Sequence, residues 1–291
     1  MKIGDALKAR GSSISFEFFP PKTQQEEDQL FKAIAKLQSL NPAFVSVTYG
    51  AGGGTMKNTR NVVVRLKRET PLTPMPHLTC VDQSKDALKK ILEDYKEQGV
   101  ENVLALRGDP PRDAQKFTTP KDGFCYAIDL VKLALSVGGY SIAVAVYPEG
   151  HPESPSLEKD TFYTKQKIDA GADFAITQMF FINRFFYDFM ERAGKVGISV
   201  PIIPGIMPIT DLERIKKFCQ MCGATLPPDL VAVMEKATSA DEVRRLGIDF
   251  AVRQCEDLRE NGVRHFHFYT LNRSETVAEI VQKLGWGGRA G

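Results

Sequence analysis

Residues 84–109 read SKDALKKILEDYKEQGVENVLALRGD and contain one complete unit of the pattern that decides the fold. Apolar residues recur three or four positions apart and predict an amphipathic helix over 85–98. Ser84 offers an N-cap hydroxyl before this helix, and Gly99 stands where a C′ glycine would end it. The apolar run 102–107 that follows is typical of a strand buried on both faces.

The same unit recurs along the whole chain. Strands that alternate with helices predict a parallel sheet, and eight such units favour closure into a (β/α)8 TIM barrel of the α/β class. A doubly wound open sheet is the alternative. No linker or composition break divides the sequence, so we expect one domain over residues 1–291. The eight strand-like runs are 14–19, 44–49, 75–80, 102–107, 141–147, 174–180, 202–206 and 265–270.

Composition excludes several classes of protein. The 291 residues contain 38 Lys and Arg against 36 Asp and Glu, and a net charge of +2 gives no broad basic surface for nucleic acid or acidic lipid. No apolar run is long enough to cross a membrane, and the first residues lack the apolar segment of a secretory signal. Five cysteines with a single CxxC, at 219–222, indicate reduced thiols, so we expect a cytoplasmic protein.

In a barrel of this kind the active site forms at the carboxyl ends of the strands. Glu17 lies in such a strand among Phe16, Phe18 and Phe19. An apolar surround would raise the pKa of its carboxyl, as suits a general acid near neutral pH. The alternative is an edge glutamate that faces solvent or an arginine.

Two glycine-containing segments follow strands. In Arg107-Gly108-Asp109, the glycine allows a ligand to approach the backbone closely, and the aspartate could orient a heterocycle or tune a cofactor. The alternative is an ordinary Asp-Pro turn. The segment GAGGGT at 50–55 matches neither the dinucleotide nor the P-loop signature, and a flexible loop over a cleft is the better interpretation. A nicotinamide donor would therefore dock in the barrel mouth.

The histidines divide into two groups. His77 and His151 lie at strand ends, where they could contact a cofactor phosphate or ring. His265 and His267 form an HxH pair, but no acidic cluster completes a metal site, so we assign them structural roles and expect no metal. Gln178, in an otherwise apolar strand, could read the amide-like edge of a pterin or flavin, or could simply pair with backbone.

Eight blocks of sequence, spread in order between Ile14 and Leu284, resemble the 5,10-methylenetetrahydrofolate reductase family, in its bacterial catalytic-domain form. This family is a flavin-dependent (β/α)8 barrel that uses FAD and NAD(P)H to reduce methylenetetrahydrofolate to 5-methyltetrahydrofolate by a ping-pong route. The blocks are SFEFFPPK, FVSVTYGAGGGT, PHLTC, ALRGDPP, YPEGHPE, DAGADFAITQMFF, PIIPGIMPI and HFHFYTLNR.

The resemblance implies a role for individual residues. Glu17 would be the general acid that protonates folate N5, and Asp109 would influence both flavin potential and folate binding. Gln178, Phe218 and Arg273 would bind the substrate; without the resemblance, Phe218 alone is typical of a core residue. The residues implied to bind FAD are Thr48, His77, Arg107, Gly108, Asp109, Tyr126, Ala127, Tyr147, His151, Asp160 and Lys167.

The chain departs from the bacterial pattern at two positions. Tyr163 and Gln166 stand where the resemblance leads us to expect Asn and Arg on the FAD side. Two other functions stay open on this fold: a pterin-binding methyltransferase without flavin, and a non-catalytic folate- or flavin-binding protein. The reverse oxidation of methyltetrahydrofolate is also chemically reasonable, and the resemblance implies a homo-oligomer, either a dimer or a tetramer.

Overall fold

The computed structural model describes residues 1–49, 56–109, 119 and 121–286, and nine strands and eleven α-helices lie within these ranges. The strands are β1 (Ser13–Phe18), β2 (Phe44–Val47), β3 (Pro74–Thr79), β4 (Asn102–Leu106), β5 (Ser141–Val146), β6 (Phe174–Thr177), β7 (Ile202–Ile203), β8 (Gly205–Ile206) and β9 (His265–Tyr269). The helices are α1 (Ile3–Ala9), α2 (Gln24–Gln38), α3 (Met56–Glu69), α4 (Lys85–Glu97), α5 (Ala127–Val137), α6 (Leu157–Asp169), α7 (Asn183–Lys195), α8 (Leu212–Cys222), α9 (Pro228–Met234), α10 (Ala240–Glu260) and α11 (Ser274–Lys283).

All strand pairs are parallel, in the order β7-β6-β5-β4-β3-β2-β1-β9-β8. Pro204 is the single residue between β7 and β8. It interrupts the strand because proline has no N–H to donate to the hydrogen-bond ladder of the sheet. The Pro204 carbonyl still accepts the His267 N–H at 3.0 Å, so β7 and β8 act as one strand that closes the ring between β6 and β9. The predicted (β/α)8 barrel is confirmed, and the open sheet is excluded.

The helices confirm the local signals. The Ser84 hydroxyl accepts the Ala87 N–H at 3.2 Å at the start of α4, and Gly99 follows the helix with φ of 74°. Three helices, α8, α9 and α10, fill the long segment before the last strand. Seven of the eight predicted strand runs extend one to three residues beyond the observed carboxyl ends, where the chain turns toward the barrel mouth, and the run 202–206 ends with β8. None of the helices in the described ranges is long and apolar enough to cross a membrane.

The amino-terminal end of the barrel is closed by α1. Ile3 and Leu7 are buried in one cluster with Phe44 and Phe174, inside the lower half of the ring. The Ile3 N–H donates to Asn102 Oδ1 at 2.8 Å and ties the helix to the start of β4. The lower barrel is therefore filled and apolar, and the polar interior positions lie toward the carboxyl ends of the strands.

Candidate active site

Glu17 points into the barrel, toward three other strands. Its Oε2 lies 3.3 Å from His77 Nε2 on β3, 3.4 Å from His267 Nε2 on β9, and 3.4 Å from Ser46 Oγ on β2. The Glu17 side chain is 10% exposed, and those of both histidines are less exposed still. One carboxylate and two imidazoles thus share a nearly dry pocket at the upper end of the barrel.

The predicted raised pKa of Glu17 is wrong. Burial raises the pKa of the Glu17 carboxyl, but the His77 charge, the His267 hydrogen bond and the His267 charge outweigh burial and lower it to about 2. The neighbouring Phe16 and Phe18 do not surround the carboxyl, because successive side chains of a strand point to opposite faces. They pack instead into the core between strands and helices.

His267 belongs to this site, and the structural role predicted for it is incomplete. Its Nδ1 lies 2.8 Å from Ser15 Oγ, and its ring stacks on Phe44 with centroids 5.6 Å apart. Ser15, His267 and Glu17 therefore form a continuous polar row across β1 and β9. The sequence shows alternating polar residues in both strands, SxE in β1 and HxH in β9. These two patterns meet only because Ser15 pairs with His267 in the sheet. His265 contacts Ser13 instead, at 2.9 Å.

The end of β4 presents Arg107, Gly108 and Asp109. Gly108 has φ of 89°, and a Cβ atom there would lie 2.9 Å from Thr79 Cβ, so only glycine fits this close approach. The Arg107 guanidinium forms two hydrogen bonds to the carboxylate of Glu153, one of them 2.8 Å long, and its pKa is raised by that contact. Asp109 is exposed at the rim. Its charge contributes, after burial, to raising the pKa of Tyr147 to about 12.

The segment from β5 into α6 holds four of the residues implied to bind a cofactor. The rings of Tyr147 and His151 meet edge to face at 4.7 Å, and burial lowers the His151 pKa. Asp160 is buried and accepts the Ser154 hydroxyl at 2.8 Å. Lys167 Nζ donates to a main-chain carbonyl at 2.6 Å, and burial, opposed by the Asp160 charge, lowers its pKa to about 8.

Several buried polar atoms at the ends of β2 and β3 lack hydrogen-bond partners among the described residues. They are Thr48 Oγ1, Tyr49 Oη, His77 Nε2 and Thr79 Oγ1; the His77 nitrogen lies at ion-pair distance from Glu17 but is not aligned for a hydrogen bond. Unpaired buried polar atoms are costly, so a group of them at one rim indicates a polar ligand. These unpaired atoms fit a bound cofactor at this side of the mouth.

Tyr126 and Ala127 begin α5 beside this rim. Tyr126 is the N-cap residue, 64% exposed, and Ala127 is the first helical residue. Tyr163 and Gln166, the two departures from the bacterial pattern, are both exposed on α6. The glycine-rich segment 50–55 lies outside the described residues.

The part of the mouth formed by β6, α8 and the segment after β9 carries the residues implied to bind substrate. Gln178 follows β6, contacts Tyr147 and accepts the Met179 N–H at 2.9 Å with its Oε1. Phe218, on α8, is partly buried, and the Arg214 guanidinium lies 5.3 Å from its ring centroid. Arg273 is exposed directly before α11.

The turn before Arg273 has an unusual backbone. Leu271 and Asn272 have φ of 49° and 60°, a region that side chains other than glycine rarely adopt. The Asn272 amide secures the turn, since it accepts the Phe19 N–H at 2.8 Å and donates to the Phe19 carbonyl at 3.0 Å. Strained turns cluster at functional sites, and this one holds the ends of β1 and β9 together next to Glu17.

Comparison with known proteins identifies the family. The family model described as Methylenetetrahydrofolate reductase matches residues 2–285. The chain belongs to the methylenetetrahydrofolate reductase family. It is 41% identical to 5,10-methylenetetrahydrofolate reductase of Pectobacterium carotovorum and 42% identical to that of Escherichia coli K12, in each case over 94% of this chain and 90% of the relative.

Other members of the methylenetetrahydrofolate reductase family are longer. Methylenetetrahydrofolate reductase (NADH) 1 of Arabidopsis thaliana is 37% identical over 98% of this chain, which spans 51% of that relative. Among solved structures, an uncharacterized protein from Clostridium thermocellum that binds two copies of 5-methyl-5,6,7,8-tetrahydrofolic acid superposes with a TM-score of 0.66. It has 14% identity and covers 97% of both chains, so this likeness shows the fold alone.

Membership in the methylenetetrahydrofolate reductase family makes the protein a flavin-dependent oxidoreductase of one-carbon metabolism that reduces folate. This decides against the flavin-free methyltransferase and the non-catalytic binding protein. The motif resemblance seen in the sequence is confirmed.

Proposed function

We propose that the protein reduces 5,10-methylenetetrahydrofolate to 5-methyltetrahydrofolate with NAD(P)H, in a ping-pong reaction with FAD as the bound cofactor. The observation that carries this proposal is the buried contact of Glu17 with His77 and His267 at the open end of the barrel. A proton-handling cluster is needed there because the imidazolidine ring opens by breaking its C–N10 bond, and N10 leaves as a protonated amine while the one-carbon unit stays on N5 as an iminium.

FAD would be held on the side of the mouth formed by β2 to β5 and α6. Bound FAD would accept a hydride from NAD(P)H and later deliver it to folate. Lys167, Arg107 and His151 would bind its anionic and polar groups, and Gly108 would contribute main-chain atoms at the end of β4. The remaining proposed contacts are Thr48, His77, Asp109, Tyr126, Ala127, Tyr147 and Asp160.

Glu17 would transfer the proton to folate N10, and not to N5 as the resemblance was taken to imply, with His77 and His267 as the side chains that hold its carboxyl in place. With its pKa lowered to about 2, the Glu17 carboxyl is ionised at neutral pH. The Glu17 carboxyl must therefore gain a proton before it can act as the acid. Ser15 fixes His267 through its Nδ1 and so keeps Nε2 directed at the carboxylate.

Gln178, Phe218 and Arg273 would hold the folate. The Gln178 amide has one donor and one acceptor, which match the amide-like edge of a pterin. Phe218 offers a ring for stacking, and the exposed Arg273 can reach a carboxylate of the glutamate tail. One pocket that receives two ring systems in turn would serve both half-reactions.

The proposal extends to the location of the protein, its assembly and the direction of the reaction. The chain would be a cytoplasmic homo-oligomer, and it could also run in reverse as an oxidase of methyltetrahydrofolate. The relatives in Arabidopsis and maize carry NADH in their names, so NADH is the first donor to test here.

The test is the visible spectrum of the purified protein, recorded before and after anaerobic addition of NADH, NADPH or methyltetrahydrofolate. We expect a flavin band that the nicotinamide donor bleaches and methylenetetrahydrofolate restores. Bleaching by methyltetrahydrofolate alone would support the reverse direction and contradict the proposed donor site. A protein without flavin that fails to bind added FAD would overturn the proposal.

A further inference from the structure

We propose that Glu149 is a positioning residue for the substrate pocket: it fixes the end of α8, and so Phe218, to the loop that carries Tyr147 and His151. This inference rests on the function proposed above. Glu149 lies in the turn between β5 and α6, and both of its carboxylate oxygens lie 3.1 Å from the N–H of Thr225, three residues beyond α8.

The contact is part of a wider junction between the two elements. Gly223 ends α8 in the left-handed conformation, with φ of 76°, and a Cβ atom there would lie 3.2 Å from Pro152 Cγ. The helix end therefore rests on the same loop that Glu149 reaches from. The other side of this loop is held by α7, since the Arg192 guanidinium donates to the Pro148 carbonyl at 3.0 Å.

The junction joins the two halves of the site. Tyr147 and His151, on the loop, belong to the proposed cofactor side, whereas Phe218 lies on the helix and belongs to the substrate side. The distance between these two sides decides how well a flat ring can stack between them. A charged hydrogen bond to a backbone N–H resists a shift of α8 more strongly than a neutral one.

Both substrates would place a flat ring in the pocket beside Phe218. If Glu149 sets the position of Phe218, its loss weakens the binding of both rings that enter the pocket but leaves the reacting atoms untouched. We expect Glu149→Ala to raise KM for methylenetetrahydrofolate and for NAD(P)H about tenfold, with kcat within twofold and the flavin spectrum unchanged. Glu149→Gln keeps one acceptor oxygen, so we expect KM to rise only two- to threefold.

A double-mutant cycle separates positioning from general destabilisation. We expect the effect of Glu149→Ala on KM to disappear in a Phe218→Ala background, because the residue that Glu149 positions is then absent. An equal effect in both backgrounds, or a fall in kcat with unchanged KM, would overturn the proposal. Glu213→Ala is the matched control, since Glu213 is an exposed carboxylate of α8 whose partner Lys216 lies on the same helix.

Amide hydrogen exchange tests the junction without any substrate. We expect the amide of Thr225 and the last turn of α8 to exchange faster in Glu149→Ala than in wild type or Glu213→Ala. Unchanged exchange would overturn the tether itself. If the wild-type protein neither binds FAD nor reduces folate, the proposed function fails together with the substrate part of this inference, whereas the exchange result still decides whether Glu149 holds α8.

Discussion

A Cβ atom on Gly205 would lie 2.6 Å from the hydroxyl oxygen of Tyr269, the last residue of β9. The same atom would also collide with the Thr177 carbonyl, which accepts the Tyr269 hydroxyl at 2.7 Å. The Gly205 N–H donates to Thr177 Oγ1 at 2.9 Å. The packing at the closing strand therefore depends on the absence of a side chain at this one position.

We predict that Gly205→Ala lowers the melting temperature by about 2–5 °C, because overpacking a closed core costs about 1–3 kcal/mol. The measurement is thermal unfolding followed by circular dichroism. Gly194→Ala is the control, since a Cβ atom at Gly194 on α7 would meet nothing within 4 Å. Equal melting temperatures for the two variants would contradict the packing argument.

Glu17→Gln should separate the two half-reactions. We expect the variant to bind FAD and oxidise NAD(P)H at close to the wild-type rate, because no proton from Glu17 is needed in that step. Reduction of methylenetetrahydrofolate should fall at least 100-fold, the lower range for loss of a general acid. Stopped-flow absorbance of the flavin measures both steps. Loss of both to the same degree would remove the acid role from Glu17, and Glu158→Gln, on the exposed first turn of α6, is the control.

Acid stability should report the charge of Glu17 directly. Its folded pKa of about 2 lies below the usual value of 4.5, so the ionised carboxylate stabilises the fold above pH 4.5, and this contribution is lost as pH falls toward 2. The shift corresponds to about 3 kcal/mol at most. We predict that wild type loses more free energy of unfolding than Glu17→Gln between pH 6 and 3, measured by urea denaturation. Parallel pH curves would show that Glu17 is not held ionised.

Lys167 should make cofactor binding depend on pH. Its ammonium, with a pKa of about 8 in the free protein, can attract an FAD phosphate only while it is protonated. We predict that the Kd for FAD rises as pH increases from 7 to 9.5, as measured by quenching of flavin fluorescence. Lys167→Met should bind FAD more weakly at pH 7 and show a flatter pH dependence. A wild-type Kd that does not change over this range would exclude the phosphate role.

Asp109 should act on the flavin through its charge. A carboxylate at the rim disfavours a reduced, anionic flavin, so we expect Asp109→Asn to raise the midpoint potential of bound FAD and to slow folate turnover. Dye-coupled reductive titration gives the potential, and stopped-flow gives the turnover. An unchanged potential with unchanged kinetics would remove this role from Asp109.

The barrel was predictable because its signals are local. Strand-like runs, helical spacing and the glycine after α4 each depend on a few neighbouring residues. The interruption at Pro204 was the one exception, although a proline inside a predicted strand is itself a signal of irregular pairing. Its effect was small because the chain on either side keeps the direction of a single strand.

The chemistry of the site was less predictable, because it depends on contacts between distant residues. The place of Glu17 followed from its strand, but its charge depends on His267, which is 250 residues away in sequence. Glu153 and Glu149 lie in the YPEGHPE block after a predicted strand, but the sequence does not indicate which residues they contact. Their partners, Arg107 and Thr225, meet them only when neighbouring loops fold over the barrel mouth.

The small helix α1 affects the order in which the reactants can bind, because it closes one end of the barrel. Because Ile3 and Leu7 fill the lower barrel, the interior formed by the described residues is closed at that end, and reactants would enter at the end where Glu17 lies. If two ring-bearing reactants use this entrance in turn, each must depart before the other arrives. An excess of either one would then block the other, and the rate would fall at high concentrations of folate or nicotinamide.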